Sequence, residues 1–392
     1  MKEFDFDGIT DRRNTGSCKW NVAPGELPMW VADMDFRTAP SVINALEKRV
    51  SHGVFGYTEP GEEWAEAYIS WWKRRHGWEM KPEWLMFCTG VVPAISSTVR
   101  KICTPNENVV IQTPVYNIFF NSIVNNGCRV LENPLIYENG RYFMNFEDLE
   151  EKLANPQTSL MILCNPHNPV GRIWSAEELA EVGRLAVKYG VTVVADEIHC
   201  DITAPGRSYV PFASVSDDCA KCGITCISPT KCFGIPGIQT AAIAVSDPFL
   251  RHKVWRGINT DEVAEPNAFA VEAAVAAFEG GEDWLDALNV YLSENRRTAC
   301  EFIRDEIRGI KAVEGEATYL LWIDLKDLPD PGSTDRSSFY ASEIRKRTGL
   351  FVVAGEEYGG SGKDFLRMNL ACPRSTLTDG LARLKKGFLQ LI

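Results

Sequence analysis

The chain has 392 residues, 45% of them hydrophobic, and a formal net charge of −12. That length exceeds what one simple core serves, so two domains are expected, and the acidic balance argues against nucleic acid or an anionic membrane as main partner. Twelve cysteines are present, but the opening MKEFDFDGITDRR is charged from the start and no apolar run reaches membrane-spanning length. The reading is therefore of a cytoplasmic protein with free thiols.

In chain order, residues 1–40 show no clear period, and Trp20, Pro24, Pro28, Met29 and Trp30 suggest an irregular arm laid over a surface. Residues 41–50 and 62–76 read as helices, announced by Pro40 and Gly61. Trp64, Trp71 and Trp72 recur at helical spacing, which favours packing in a core or interface. Residues 84–88 form a strand candidate, followed by Thr89-Gly90-Val91-Val92-Pro93-Ala94. A glycine turn that opens a helix presents free N–H groups and the positive helix end, so Gly90, Val91 and Val92 are candidates for a phosphate cup. The next strand, 108–113, leads into Pro114-Val115-Tyr116.

Three apolar strands then end in polar residues. Residues 161–164 run into Asn165-Pro166-His167-Asn168-Pro169, residues 191–195 into Asp196-Glu197-Ile198-His199, and residues 223–227 into Ser228-Pro229-Thr230-Lys231. Strands apolar throughout suit a parallel sheet covered on both faces, and ligands of such sheets sit beyond the carboxyl ends of the strands. Asn165, Asp196 and Lys231 are thus expected at one rim. A lysine between buried strands should be partly desolvated, which lowers its pKa and makes it a usable amine nucleophile. Pyridoxal phosphate (PLP) needs this set: an amine to hold it, a carboxylate for its ring nitrogen and a donor for its ring oxygen.

Cys219, Cys222, Cys226 and Cys232 cluster in sequence, and the C-x-x-C at Cys219 and Cys222 could bind metal or cycle redox. Cys226 sits mid-strand and no histidine completes a site, so no metal is expected. Residues 267–279 and 284–307 read as helices linking to a C-terminal part with strands at 319–324, 350–354 and 365–370. Residues 329–334 and 357–363 read as surface loops. Arg367 lies inside an apolar strand, where an arginine is costly unless it meets an anion, and its planar fork suits a carboxylate.

In this order, and with Asn165, Asp196 and Lys231 separated by 31 and 35 residues, the three motifs resemble fold-type I PLP enzymes of the class I/II aminotransferase group. Residues 27–36, the run from Asp196 to Asp201 and residues 365–374 bring the likeness closer to its cystathionine β-lyase or cysteine-S-conjugate β-lyase branch. The resemblance implies an α/β fold. Residues 41–283 would be a large PLP-binding domain with a mostly parallel seven-stranded sheet covered by helices. Residues 284–392 would be a smaller α/β domain, and residues 1–40 an arm contributing to it and to the active-site entrance.

It also implies roles. Lys231 holds the cofactor and acts as general base; Asp196 keeps its ring nitrogen protonated; Asn165 bonds its ring oxygen and lies against substrate; Tyr116 stacks on the ring. Gly90, Val91, Val92 and the Ser228 hydroxyl bind the phosphate, joined by Tyr57 from across a homodimer interface. Arg367 binds the substrate carboxylate, and Val31 and Ala32 line the entrance with backbone groups. The chain departs from the wider aminotransferase pattern at His199, where a tyrosine is usual, and at Gln239, where an arginine is usual. Both departures fit the lyase branch, and His199 reads either as an electrostatic contributor to the ring or as a structural histidine. The implied reaction is β-elimination from L-cystathionine or related L-cysteine S-conjugates, giving a thiol, pyruvate and ammonia. The alternatives are an aminotransferase of the same fold and a partner-binding regulator that keeps it.

Overall fold

The computed structural model describes residues 4–332 and 335–391. Its centre is a seven-stranded sheet formed by Leu85–Cys88 (β1), Asn108–Ile111 (β2), Arg129–Glu132 (β3), Thr158–Cys164 (β4), Thr192–Asp196 (β5), Gly223–Ile227 (β6) and Ala241–Ala244 (β7). The strand order is β1-β7-β6-β5-β4-β2-β3. All pairings are parallel except those of β7, which runs antiparallel to β1 and β6.

Alternate residues of each central strand feed different cores, as a sheet covered on both faces requires. Leu160, Ile162 and Val194 pack with Ala94, Ile95 and Val99 of the helix Val91–Ile102. Met161, Leu163 and Val193 pack instead with Leu179, Val182 and Leu185 of the helix Ala176–Tyr189. The helix Glu62–His76 carries Glu62 and Glu63 in its first turn and four basic residues in its last, complementing its dipole, and stops at Gly77 in the left-handed conformation. Trp64, Trp71 and Trp72 are all buried in a core cluster with Phe278 and Trp284, which settles the packing expectation for that aromatic stripe.

The 25-residue helix Glu282–Glu306 leads to a second, antiparallel sheet of four strands, Lys311–Ala312, Leu320–Asp324, Phe365–Asn369 and Val353–Ala354 in spatial order. The predicted strand at 350–354 is two strands. Leu350–Phe351 pairs in parallel with Leu27–Pro28, and Val353–Ala354 pairs with Phe365–Asn369. The N-terminal segment is thereby stitched to the four-stranded sheet, with Met29 donating to the Phe351 carbonyl and accepting from the Asn369 amide, both at 2.9 Å.

Residues 357–363 differ from the loop expectation. The 3₁₀ turns Gly355–Tyr358 and Gly360–Gly362 run through them, and Tyr358 and Gly362 are buried while Glu357, Gly360 and Lys363 are exposed. A Cβ on either Gly355 or Gly362 would collide with the other's carbonyl oxygen, so the glycines here serve close backbone approach rather than mobility. Of the 329–334 stretch, Pro329, Asp330 and Gly332 are exposed, and Ser333 and Thr334 lie outside the described residues.

Candidate active site

Strand register assembles one rim. Cys164 on β4, Asp196 on β5 and Cys226 on β6 stand side by side, and the Asn165 amide donates to the Asp196 carbonyl at 2.9 Å. Lys231 follows β6 by four residues in a tight turn. Asn165 and Asp196 are buried. Lys231 keeps some accessible surface.

The electrostatics follow from burial. Enclosure is the first cause that lowers the Lys231 amine to about 8; Arg367 adds to it, while Asp33 and Asp196 oppose it. Enclosure also raises the Asp196 carboxyl to about 6, against the Ile198 amide, which donates to its Oδ1 at 3.1 Å, and the charge of Lys231. His199 is driven down to about 3 by burial and by the neighbouring Lys231 and Arg367 charges, so its ring is neutral. Its Nδ1 has no hydrogen-bond partner, and the ring meets Tyr319 edge-on at 5.9 Å.

Arg367 sits in the strand Phe365–Asn369 and is buried, with the face of its guanidinium 4.9 Å from the Tyr358 ring. It donates to the Trp30 carbonyl at 2.8 Å and to Asn168 Oδ1 at 3.3 Å, while its Nε has no partner. No carboxylate within ion-pair distance neutralises it among the described residues. A buried cation held by neutral acceptors is a receptor for an external anion.

The sites read from the sequence do not all look the same here. Val91 and Val92 open the helix Val91–Ile102 directly after Gly90, and first-turn amides have no carbonyl partner within a helix. Tyr116 is mostly enclosed, packs edge-on to Phe119 and has its phenol raised by burial. The Ser228 hydroxyl turns inward, 2.7 Å from the Thr240 carbonyl and from Thr230 Oγ1, and accepts from the Thr230 amide. Tyr57 stands 104% exposed on a loop, far from any burial this chain provides. The carbonyls of Val31 and Ala32 are already engaged: Val31 accepts from Asn369 Nδ2 at 2.6 Å, and Ala32 accepts from Lys231 Nζ at 2.5 Å and Tyr319 OH at 3.0 Å.

Sequence reasoning passed over Asn168, Tyr319, Tyr358 and the ion pairs of the N-terminal segment. Arg12 forks onto Asp33 and also bonds Asp35, and the fully buried Lys19 bonds Asp35 at 2.7 Å. It also passed over Glu197. Its carboxyl is buried, accepts from Phe212 N at 2.8 Å, Asn165 Nδ2 at 3.4 Å and the Tyr209 hydroxyl, and is pushed up to about 8 by burial. The repeated Asn-Pro at 165 and 168 was the one available signal for Asn168.

All twelve cysteines are free. Cys219 and Cys222 do not assemble with Cys226 and Cys232; the Cys219 thiol faces the Leu179 carbonyl. The one group with metal-ligand proximity among the described residues is His76, Cys200 and Asp201. There Asp201 is already bonded by His76 Nε2 and Trp71 Nε1, each at 3.0 Å. No helix among the described residues is long and apolar enough to cross a membrane.

A lysine amine, a buried carboxylate with one hydrogen bond, a flat phenol, a helix N-terminus and the unpartnered nitrogens His199 Nδ1 and Arg367 Nε suit a pyridinium aldehyde phosphate; the Asn165 amide departs from its expected role, its Nδ2 donating to the Val210 carbonyl at 3.0 Å and its Oδ1 left without a partner.

Comparison with known proteins agrees with this geometry. The family profile described as aminotransferase class I and II matches residues 27–384. The chain is 41% identical over 389 residues to cystathionine beta-lyase PatB of Bacillus subtilis (strain 168), covering 97% of this chain and 99% of that one. Among solved structures it resembles cystalysin from Treponema denticola, which contains pyridoxal 5′-phosphate, with a TM-score of 0.95, 31% identity and full coverage of both chains. It also resembles the PLP-bound C-S lyase from Staphylococcus hominis, with a TM-score of 0.91 and 35% identity over 99% of this chain and 98% of that one.

Proposed function

Because this chain belongs to the aminotransferase class I and II family, we propose that it is a PLP-dependent carbon–sulfur β-lyase acting on L-cystathionine or related L-cysteine S-conjugates. The observation that carries this reading is that a partly enclosed Lys231 amine and a buried Asp196 carboxyl lie at the ends of neighbouring strands, with a buried Arg367 nearby that has no ion-pair partner among the described residues. The lyase names of relatives at 35% and 41% identity favour this chemistry among those the family runs.

When bound, PLP supplies an electron sink for the pair left at Cα. Asp196 would face its ring nitrogen and stabilise the protonated form. Asn165 would face its ring oxygen, Tyr116 would stack on its face, and Gly90, Val91 and Val92 would hold its phosphate, joined by the Ser228 hydroxyl on turning away from the Thr240 carbonyl. Arg367 receives the substrate carboxylate, aimed by Asn168 and the Trp30 carbonyl. Lys231, with a proton affinity set near neutrality, takes the Cα proton. The Cβ–S bond then breaks; the sulfur leaves as a thiol after taking up a proton, and the released 2-aminoacrylate is hydrolysed by water to pyruvate and ammonia.

Tyr57 is too exposed to serve its own subunit, and an exposed aromatic loop with Phe55 at 53% and Val54 at 64% suits burial against a second copy. The proposed enzyme is a cytoplasmic homodimer in which Tyr57 reaches the neighbouring phosphate. Its large domain is residues 41–283 and its smaller one residues 284–392, and the arm of residues 1–40 contributes to the smaller domain and to the active-site entrance.

The test is pyruvate release by the PLP-loaded protein from L-cystathionine without a 2-oxo acid. Pyruvate is expected, with a visible absorption band that Lys231→Ala loses together with at least about 10⁴-fold in rate. Amino transfer that appears only when a 2-oxo acid is supplied would move the assignment to an aminotransferase.

A further inference from the structure

The released form of a catalytic lysine needs somewhere to rest, and the chain provides a place that lies off the sheet rim. The Ala32 carbonyl accepts from Lys231 Nζ at 2.5 Å and from the hydroxyl of Tyr319 at 3.0 Å. Tyr319 is buried, with its ring against His199. The residue before it, Thr318, is held at φ +66°, a region a β-branched residue enters only under strain. Its amide donates to the Ile202 carbonyl at 2.8 Å and its hydroxyl accepts from Leu320 N at 3.2 Å, which pins the backbone that aims the phenol. On the other side of Ala32, the Asp33 carboxylate is clamped by Arg12 and lies 3.6 Å from Lys19 Nζ. The Asp33 carbonyl accepts from Asn369 Nδ2 at 2.6 Å. The peptide between Ala32 and Asp33 is therefore fixed at both ends by groups far away in sequence.

We infer that Tyr319 and the Arg12–Asp33 pair are positioning residues for Lys231: Tyr319 holds the Ala32 carbonyl toward the amine, and Arg12 mutes the Asp33 carboxylate that faces it. A carbonyl fixed at short range favours the ammonium, and so does an unmuted carboxylate. The groups facing Lys231 are Asp33 from the arm, Arg367 from the four-stranded sheet, Asp196 at the end of β5, and His199 and Tyr319 beside it. Asp33 ranks ahead of Asp196 among the influences that favour its charged form. Two opposed devices thus meet on one amine, and they predict shifts of opposite sign when each is removed. A loosened pocket would move both the same way.

This inference rests on Lys231 being the cofactor-holding base, and its test does not pass through the cofactor. Cofactor-free protein is pulse-acetylated with acetic anhydride across a pH series, and modification of the Lys231 peptide is quantified by mass spectrometry, with Lys231→Ala as blank. Tyr319→Phe, which keeps the ring against His199, should lower the midpoint of Lys231 reactivity by about half a pH unit or more. Arg12→Gln should raise it by a comparable amount, since Asp33 is then left facing the amine. If Arg12→Gln does not fold, Asp33→Asn replaces it and should lower the midpoint. Shifts of the same sign for Tyr319→Phe and Arg12→Gln, or any variant whose midpoint does not move, overturn the inference. Failure of the underlying reading would register elsewhere, as a visible band of the PLP-loaded protein that survives Lys231→Ala.

Discussion

On the wall formed by the seven-stranded sheet, Asn165 and Lys231 follow apolar strands and Asp196 ends one, and strand register sets Cys164, the residue before Asn165, beside Asp196. On the opposite wall, the carbonyls of Trp30 to Asp33 and the side chain of Arg367 are held by partners up to 338 residues away in sequence. The first wall is a by-product of close-packed hydrophobic layers and is stiff. The second is assembled from ion pairs, a cation over Tyr358 and a stack in which Arg345 covers Phe351 at 3.7 Å and Phe351 covers Trp30 at 4.8 Å. In the proposed function the difference becomes a division of labour: the stiff wall would fix the cofactor and the cross-linked wall would orient the amino acid.

After the loss of Lys231 itself, the largest expected blow falls on the second wall. Arg367→Ala should lower kcat/KM by roughly 10³-fold, about 4 kcal/mol, because a buried carboxylate loses its partner. The effect should appear chiefly in KM, with the visible spectrum of the PLP-loaded protein intact; a spectrum that changes with KM would erase the distinction between the walls. Arg367→Lys should restore little, since an ammonium cannot span Trp30, Asn168 and an external carboxylate together.

Next in size is a pH effect behind the first wall. Glu197 is fully buried and its carboxyl rises from the ordinary 4.5 to about 8. Below pH 4.5 it is neutral folded or unfolded, and its contribution is fully present. Between 4.5 and 8 the unfolded chain releases the proton and the folded one retains it, so stability is lost as pH rises. The slope is at most about 1.4 kcal/mol per pH unit. Thermal unfolding of Glu197→Gln from pH 5 to 8 should show a flatter dependence than the parent; an equal slope would mean that Glu197 is ionised in the folded protein.

Smaller still, Tyr57→Phe should weaken PLP binding about tenfold, the worth of one hydrogen bond to a charged group, measured by titrating the cofactor-free protein. Its melting temperature without cofactor should not move, because the side chain packs against nothing in its own subunit. Least of all, Arg345→Ala should raise KM only a few-fold, since its guanidinium, forked onto Glu26 at 2.7 and 2.9 Å, is partly exposed and screened.

The same contrast explains what was legible in the sequence. The helix Glu62–His76 was placed to the residue because its glycine stops and charge gradient are local. The rim residues were legible because a strand that ends in one polar side chain announces its own edge. The break at Val352 was not, because it is made by pairing with Leu27–Pro28, a partner more than 300 residues away. Residues 357–363 were misread because glycine signals both looseness and contact; which of the two holds depends on whether Gly362 has Gly355 against it. Tyr319 and Arg12 carried no motif at all, since their roles exist only once the arm is folded back.

The arm has one further consequence. Hydrogen bonds of Leu27 and Met29 join it to the Leu350–Phe351 edge, and the Trp30 and Ala32 carbonyls that meet Arg367 and Lys231 are only two residues apart on it. The groups proposed for anion capture and proton removal therefore share a single short tether. The chain ordering that tether requires is met once, on folding, and not again at each encounter with substrate.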